Sequence, residues 1–168
     1  CDVLAIRTYK QEELINYAQW ASIPVINALT DIEHPCQVLA DFLTMQEVFG
    51  SLPGQTLSFI GDGNNVANSL MICGALLGVN IRIGSPSGFE PSEIIVEKAK
   101  NLAKGISTIE VFNNPSDAVK DSQAIYTYVW ASMGQEKEKG LREKAFKGFC
   151  VNKELLSKAD AKAIVLHC

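Results

Sequence analysis

His34-Pro35-Cys36-Gln37 places an imidazole and a carboxamide around the first turn of a helix, where both can face one ligand at the helix's positive end. Arg7 ends an apolar strand, where a guanidinium either meets an anionic or carbonyl partner or reaches out to solvent. Gly61-Asp62-Gly63-Asn64-Asn65 follows a strand and opens a helix, so its backbone N–H groups can hold an anion such as a carboxylate; equally, the glycines make a tight turn and Asn64 or Asn65 caps the helix. Trp130-Ala131-Ser132-Met133-Gly134 leaves another strand with a hydroxyl and a small residue suited to a ligand backbone, and with Met133 suited to plain packing. His167-Cys168 ends the last apolar run, where a thiol is either activated by its surroundings or buried and inert. The charged run 137–144 spaces acid and base for pairs along a helix and reads as a solvated face.

Short apolar runs at 3–6, 24–29, 56–60, 80–83, 109–112, 124–130 and 163–166 read as strands, and helical patterns fill 11–21, 35–49, 65–77, 91–103 and 135–146. Strands alternating with helices predict an α/β fold whose doubly wound parallel sheet is covered on both faces. The helix after His34 carries an apolar stripe at Val38, Leu39, Phe42, Leu43 and Met45, with Pro35 in its first turn. Gly50-Ser51-Leu52-Pro53-Gly54 reads as a linker and predicts a boundary between residues 1–49, the end of one domain with an interdomain helix, and residues 50–168, a second domain. In such sheets ligands bind beyond the carboxyl ends of the strands, which selects Arg7, His34, the turn after Ile60, the segment after Tyr128, and His167-Cys168.

A net charge of -4 gives no broad positive field for nucleic acid or an anionic membrane, so a small-molecule partner is expected. Five cysteines without CxxC spacing fit neither a disulfide framework nor a structural zinc site, and predict a reduced, intracellular setting. No apolar run reaches the ~20 residues that span a bilayer. The turn after Ile60 fails as a dinucleotide fingerprint, because Val66 stands where a third glycine would allow helix and strand to pack closely. The chain begins at Cys1 and stops just after an apolar run, which reads as a strand cut at its mouth.

Four segments in order, His34-Pro35-Cys36-Gln37 with Leu39-Ala40-Asp41, Gly61-Asp62-Gly63-Asn64-Asn65, Trp130-Ala131-Ser132-Met133-Gly134 and His167-Cys168, resemble the ornithine carbamoyltransferases along the whole chain. The first is shared with aspartate carbamoyltransferases; the second and third narrow the resemblance to ornithine. The resemblance implies that carbamoyl phosphate binds between two domains and that the δ-amine of L-ornithine attacks its carbonyl carbon, giving citrulline and phosphate without a metal or organic cofactor. It implies that Arg7, His34, Pro35, Cys36, Gln37 and Cys168 bind carbamoyl phosphate, that Arg7, His34 and Cys168 act in catalysis, and that Asn65, Tyr128, Ser132 and Met133 hold ornithine. It further implies a homotrimer at full length, and that this segment, resembling the carboxy-terminal half cut short, makes no citrulline alone because the family's amino-terminal phosphate loop Ser-Thr-Arg-Thr-Arg is absent.

Two positions depart from the family's pattern. Tyr128 stands where an aspartate that pairs with the ornithine α-ammonium is usual, and Ala28 stands where glycine is usual. The alternatives are a carbamoyltransferase for another amine, a non-catalytic small-molecule binder of the same fold, and, disfavoured by Val66, a nucleotide-binding oxidoreductase domain.

Overall fold

Two parallel sheets organise the protein, a computed structural model that describes residues 1–130 and 138–168. The first is a pair, β1 (Leu4–Arg7) beside β2 (Val25–Leu29), bridged by α1 (Gln11–Trp20). From β2 the chain enters α2 (Pro35–Phe49), which stops at Gly50 in the left-handed conformation that glycine adopts without strain. Pro35 sits in the first turn of α2, where its missing N–H costs nothing. Val38, Phe42 and Met45 are buried as expected, but Leu39 and Leu43 face outward at nearly 60% exposure and Asp41 takes a place in the buried stripe.

The second sheet has five strands in the order β5 (Ile109–Phe112), β4 (Asn80–Gly84), β3 (Thr56–Ile60), β6 (Ala124–Thr127), β7 (Ile164–His167). The chain leaves β3 through α3 (Asn65–Leu77) to β4 and through α4 (Glu93–Ala103) to β5, then returns to place β6 on the other side of β3. That reversal makes the carboxyl ends of β3 and β6 the topological switch point, where a crevice opens in sheets of this kind. Every residue of β3 is buried, as a central parallel strand covered on both faces requires. Its side chains divide by alternation: Leu57 and Phe59 join one core with α2, α3 and α4, whereas Ile60 joins a second with Ala118, Ile125 and Phe146.

Several elements differ from the sequence reading. The strand expected over 124–130 stops at Thr127, and two short helices, α5 (Pro115–Val119) and α7 (Lys153–Leu156), lie in stretches with no clear apolar period. Within the described residues the last charged helix is α6 (Lys139–Ala145). Val66 is accommodated in the core at 1% exposure; the close approach of α3 to β4 comes instead at Gly74, where a Cβ would meet Ile81 Cγ1 at 2.5 Å. Among the described residues no helix is long and apolar enough to cross a membrane.

Candidate functional site

The carboxyl ends of both sheets converge on one cleft of about 350 Å³, lined by Arg7 and Tyr9 after β1, Thr30 and Asp31 after β2, Asp62 to Asn65 after β3, Tyr128 after β6, and Arg142 of α6. Three side chains of α3 tie its walls together. Asn65 Nδ2 donates to the Thr30 carbonyl at 2.7 Å, Asn68 Nδ2 to the Ile32 carbonyl at 3.0 Å, and Ser69 Oγ receives the His34 backbone N–H at 2.8 Å. The loop that begins α2 is thereby held against the start of α3. With its nitrogen given to Thr30, Asn65 keeps an amide oxygen that can only accept, which suits an ammonium ligand.

The glycine turn is shaped by the chain itself. Asn64 caps α3, its Oδ1 accepting from Val66 N at 3.0 Å and Ala67 N at 3.1 Å. A Cβ on Gly63 would stand 2.1 Å from Pro91 N, and the Gly63 N–H donates to the Phe89 carbonyl at 2.8 Å. Backbone from 89 to 91 therefore packs directly against the glycine turn, which is why position 63 takes no side chain.

His34 holds the N-cap position of α2, yet its imidazole makes no capping bond, and Nδ1 is buried without a hydrogen-bond partner among the described residues. Burial, and next the positive charge of Arg7, push its pKa below the usual histidine value, with the Ala28 backbone pulling the other way. A neutral ring that donates one N–H is the form these surroundings favour. Arg7 itself is exposed at the cleft's mouth.

Deeper in, Gln37 Nε2 donates to Asp41 Oδ1 at 3.1 Å, one turn along α2. Asp41 in turn neighbours the Tyr126 hydroxyl, which neighbours the Cys168 thiol; among the described residues no hydrogen bond closes at Asp41 Oδ2 or the Tyr126 hydroxyl, but the groups are close enough to influence one another's charge. Burial is the largest influence on each and raises all three.

Of the residues singled out in the sequence, Arg7, Asn65 and Tyr128 line the cleft, and His34 adjoins it through Arg7. Gln37 and Cys168 meet at the Asp41 and Tyr126 cluster. Pro35 lines a separate recess with Val38, Ser69 and Cys73, and the Cys36 thiol turns to the Asn27 carbonyl at 3.4 Å, so neither side chain enters the cleft. Ser132 and Met133 lie outside the described residues.

Sequence reasoning missed Arg142. It belongs to the run assigned to solvent, yet it is 6% exposed and stands in the cleft wall. Its Nη1 reaches Asp62 Oδ2 at 2.8 Å and the Trp130 carbonyl at 3.1 Å, its Nε reaches Glu138 Oε2 at 3.1 Å, and the guanidinium lies 5.0 Å above the Phe89 ring. Only the apolar Phe146 four residues later hints at an inward face.

Fold and cleft together define an α/β protein with a polar cleft at a topological switch point, between one sheet followed by Arg7 and His34 and another followed by Asn65 and Tyr128. Two family descriptions match the chain: the aspartate/ornithine carbamoyltransferase Asp/Orn binding domain over residues 53–168, and the carbamoyl-P binding domain of the same family over residues 1–47. The chain belongs to the aspartate/ornithine carbamoyltransferase family. It is 64% identical over all its 168 residues to the ornithine carbamoyltransferase of Prochlorococcus marinus (strain MIT 9313) and 65% identical to that of Parasynechococcus marenigrum (strain WH8102), covering 53% of each. The chain thus spans about half the length of the curated relatives it matches. Among solved structures it resembles ornithine carbamoyltransferase from Gloeobacter violaceus, with TM-score 0.91 and 44% identity over 99% of this chain and 56% of that one. The enzyme from Pyrococcus furiosus gives TM-score 0.94 and 43% identity over 99% of this chain and 54% of its own.

Proposed function

We propose that the protein carrying this chain is an ornithine carbamoyltransferase, which moves the carbamoyl group of carbamoyl phosphate to the δ-amine of L-ornithine. The observation that carries this reading is the meeting of Arg7, Asn65 and Tyr128 around one cleft, with His34 beside Arg7, in a chain whose two parts match the carbamoyl-phosphate and the Asp/Orn binding domains.

In this mechanism the amine nitrogen attacks the carbamoyl carbon, the bond from that carbon to the phosphate oxygen breaks, and the nitrogen loses a proton. Citrulline and phosphate leave. The Arg7 guanidinium and the N–H of a neutral His34 donate to the carbamoyl oxygen as negative charge gathers there, the kind of fixed donor that stabilises an oxyanion most. Gln37 receives the carbamoyl nitrogen. Asn65 accepts from the α-ammonium, and Ser132 and Met133 hold the α-amino and α-carboxylate groups. Cys168 lies beside the reacting amine, and Pro35 and Cys36 contribute through backbone at the start of α2. Residues 1–49 act as the end of the carbamoyl-phosphate domain and residues 50–168 as the ornithine domain, so that much of the rate comes from holding amine and carbonyl in contact between them.

The same reading gives a homotrimer, an intracellular setting and a place in arginine metabolism, with no metal or organic cofactor. Citrulline formation from carbamoyl phosphate and ornithine tests it, in a protein carrying this chain at the length of its relatives. Absence of citrulline from a folded trimer overturns it. Tyr128 favours one second reading, transfer to an amine without that ammonium group, and n-butylamine, which carries neither the ammonium nor the carboxylate, separates the two in the same assay.

A further inference from the structure

Alternation along β6 and β7 puts Tyr126, Leu166 and Cys168 on one side of the sheet, because Tyr126 and Leu166 are register partners and Cys168 stands two residues further on. On that side lies α2, whose Phe42 shares a core with Tyr126 and Leu166. Asp41, next to Phe42 on α2, is 6% exposed, with one oxygen on Gln37 and the other buried without a hydrogen-bond partner among the described residues. The Tyr126 ring is fully buried and stacked on Phe59 at 5.7 Å, with its hydroxyl likewise unbonded. A buried carboxylate and a buried phenol thus connect Gln37 on α2 to Cys168 after β7.

We propose that Asp41 is a positioning residue for both halves of the site, fixing the face that Gln37 shows to the carbamoyl group and, together with Tyr126, governing the reactivity of the Cys168 thiol. The substrate roles of Gln37 and Cys168 rest on the carbamoyltransferase reading, whereas the contacts among the four residues do not. An ionised carboxylate can only accept, so the Gln37 atom turned to Asp41 is the amide nitrogen. The Gln37 oxygen is then left to receive N–H, which a carbamoyl nitrogen offers and an acetyl methyl does not.

At Cys168 the two neighbours act in opposite directions. Burial is the largest influence there; beneath it the Tyr126 hydroxyl, unbonded beside the neutral thiol, favours a thiolate that it can donate to, and Asp41 opposes a second negative charge. Next to the thiol's residue in the chain, His167 turns its Nδ1 to the Cys168 backbone oxygen at 2.6 Å.

The test uses Asp41→Asn and Tyr126→Phe, both near-isosteric, in the protein at the length of its relatives. Alkylation of Cys168 with iodoacetamide at pH 8 is followed by mass spectrometry of its own peptide, so that the other cysteines do not interfere. Asp41→Asn is expected to speed the reaction about three- to tenfold and Tyr126→Phe to slow it by a similar factor, as the thiolate fraction rises or falls. Unchanged rates, or rates that move together, overturn the link to Cys168; Tyr126→Phe decides alone if Asp41→Asn does not fold. For Gln37, Asp41→Asn is expected to raise KM for carbamoyl phosphate about tenfold, roughly the loss of one charge-assisted hydrogen bond, and to leave KM for ornithine in place. An unchanged KM for carbamoyl phosphate overturns that half. Failure of the unaltered protein to make citrulline is a separate result, which removes the functional reading and leaves the thiol measurement standing.

Discussion

Arg142 Nη1 lies 2.8 Å from Asp62 Oδ2, a buried ion pair between residues 80 apart in the chain. It joins the turn after β3 to α6, and the same guanidinium holds the Trp130 carbonyl and Glu138. The start of α3, which carries Asn65, is thereby fastened to Trp130 and Glu138 at one point. Breaking such a pair from one side takes the opposite charge away from a buried one, whereas removing both charges costs far less.

Arg142→Met is accordingly expected to destabilise the protein by about 3–5 kcal/mol, and Asp62→Asn combined with Arg142→Met to recover part of that loss. Urea unfolding of the two single variants and the pair measures the coupling. A loss below about 1 kcal/mol for Arg142→Met would place the pair among exposed salt bridges and refute its structural role.

Two glycines separate a packing requirement from simple flexibility. At Gly63 an added methyl would overlap Pro91 N at 2.1 Å and the Glu90 carbonyl carbon at 2.4 Å, backbone atoms that cannot swing aside. Gly140, in α6, has open space around it. Gly63→Ala should cost at least about 1–3 kcal/mol, and Gly140→Ala should gain about 0.5–1 kcal/mol. Thermal unfolding of both variants checks this, and equal midpoints would show that segment 89–91 yields to the methyl.

On the proposed ornithine carbamoyltransferase reading, the effect at Tyr128 is on binding. Its phenol stands in the cleft wall beside Asn65, with the His167 ring 6.2 Å away, where the family resemblance places a carboxylate. A neutral phenol cannot give an ammonium the charge-assisted bond that a carboxylate gives. Tyr128→Asp should therefore tighten ornithine by about 1.5–3 kcal/mol, read by calorimetric titration of the variant and the unaltered protein. Equal affinities would show that the α-ammonium is held elsewhere.

What the sequence disclosed and withheld follows from the range of the interactions. The boundaries of α2 and α3 were legible because local signals fix them: Pro35 in a first turn, Asn64 as a cap, Gly50 and Gly78 in left-handed closing positions. The cleft was legible through Arg7, Asn65 and Tyr128, since strand ends in a parallel sheet face one way. Arg142 was not, because its partner lies far off in the chain and its helix is otherwise charged. The outward turn of Leu39 and Leu43 was hidden for a related reason: apolar side chains around more than half of α2 do not say which of them meets the sheet, and Asp41 occupies a position that periodicity assigns to a hydrophobe. Short α5 and α7 begin at Asn114 and Asn152, whose side chains cap them, and are too brief to show an apolar period.

His34 supplies the pH dependence. Its charged form is disfavoured in the folded protein, first by burial and then by Arg7, so its folded pKa lies below the ~6.5 of an unfolded chain. Above that value both states carry a neutral ring and the group adds no slope. As pH falls through 6.5 the unfolded chain takes up a proton that the folded one refuses, and stability declines until the folded pKa is passed and both states are charged. His34→Gln should remove that part of the decline, so the difference between its stability and that of the unaltered protein, followed by urea unfolding from pH 7.5 downward, should shift once pH drops below about 6.5. The imidazole's own NMR titration should show a midpoint under that value. A midpoint above about 7.5, a full unit over the usual value, would mean that the ring is charged when the cleft works near neutrality, and the N–H assigned to the carbamoyl oxygen would then come from an imidazolium.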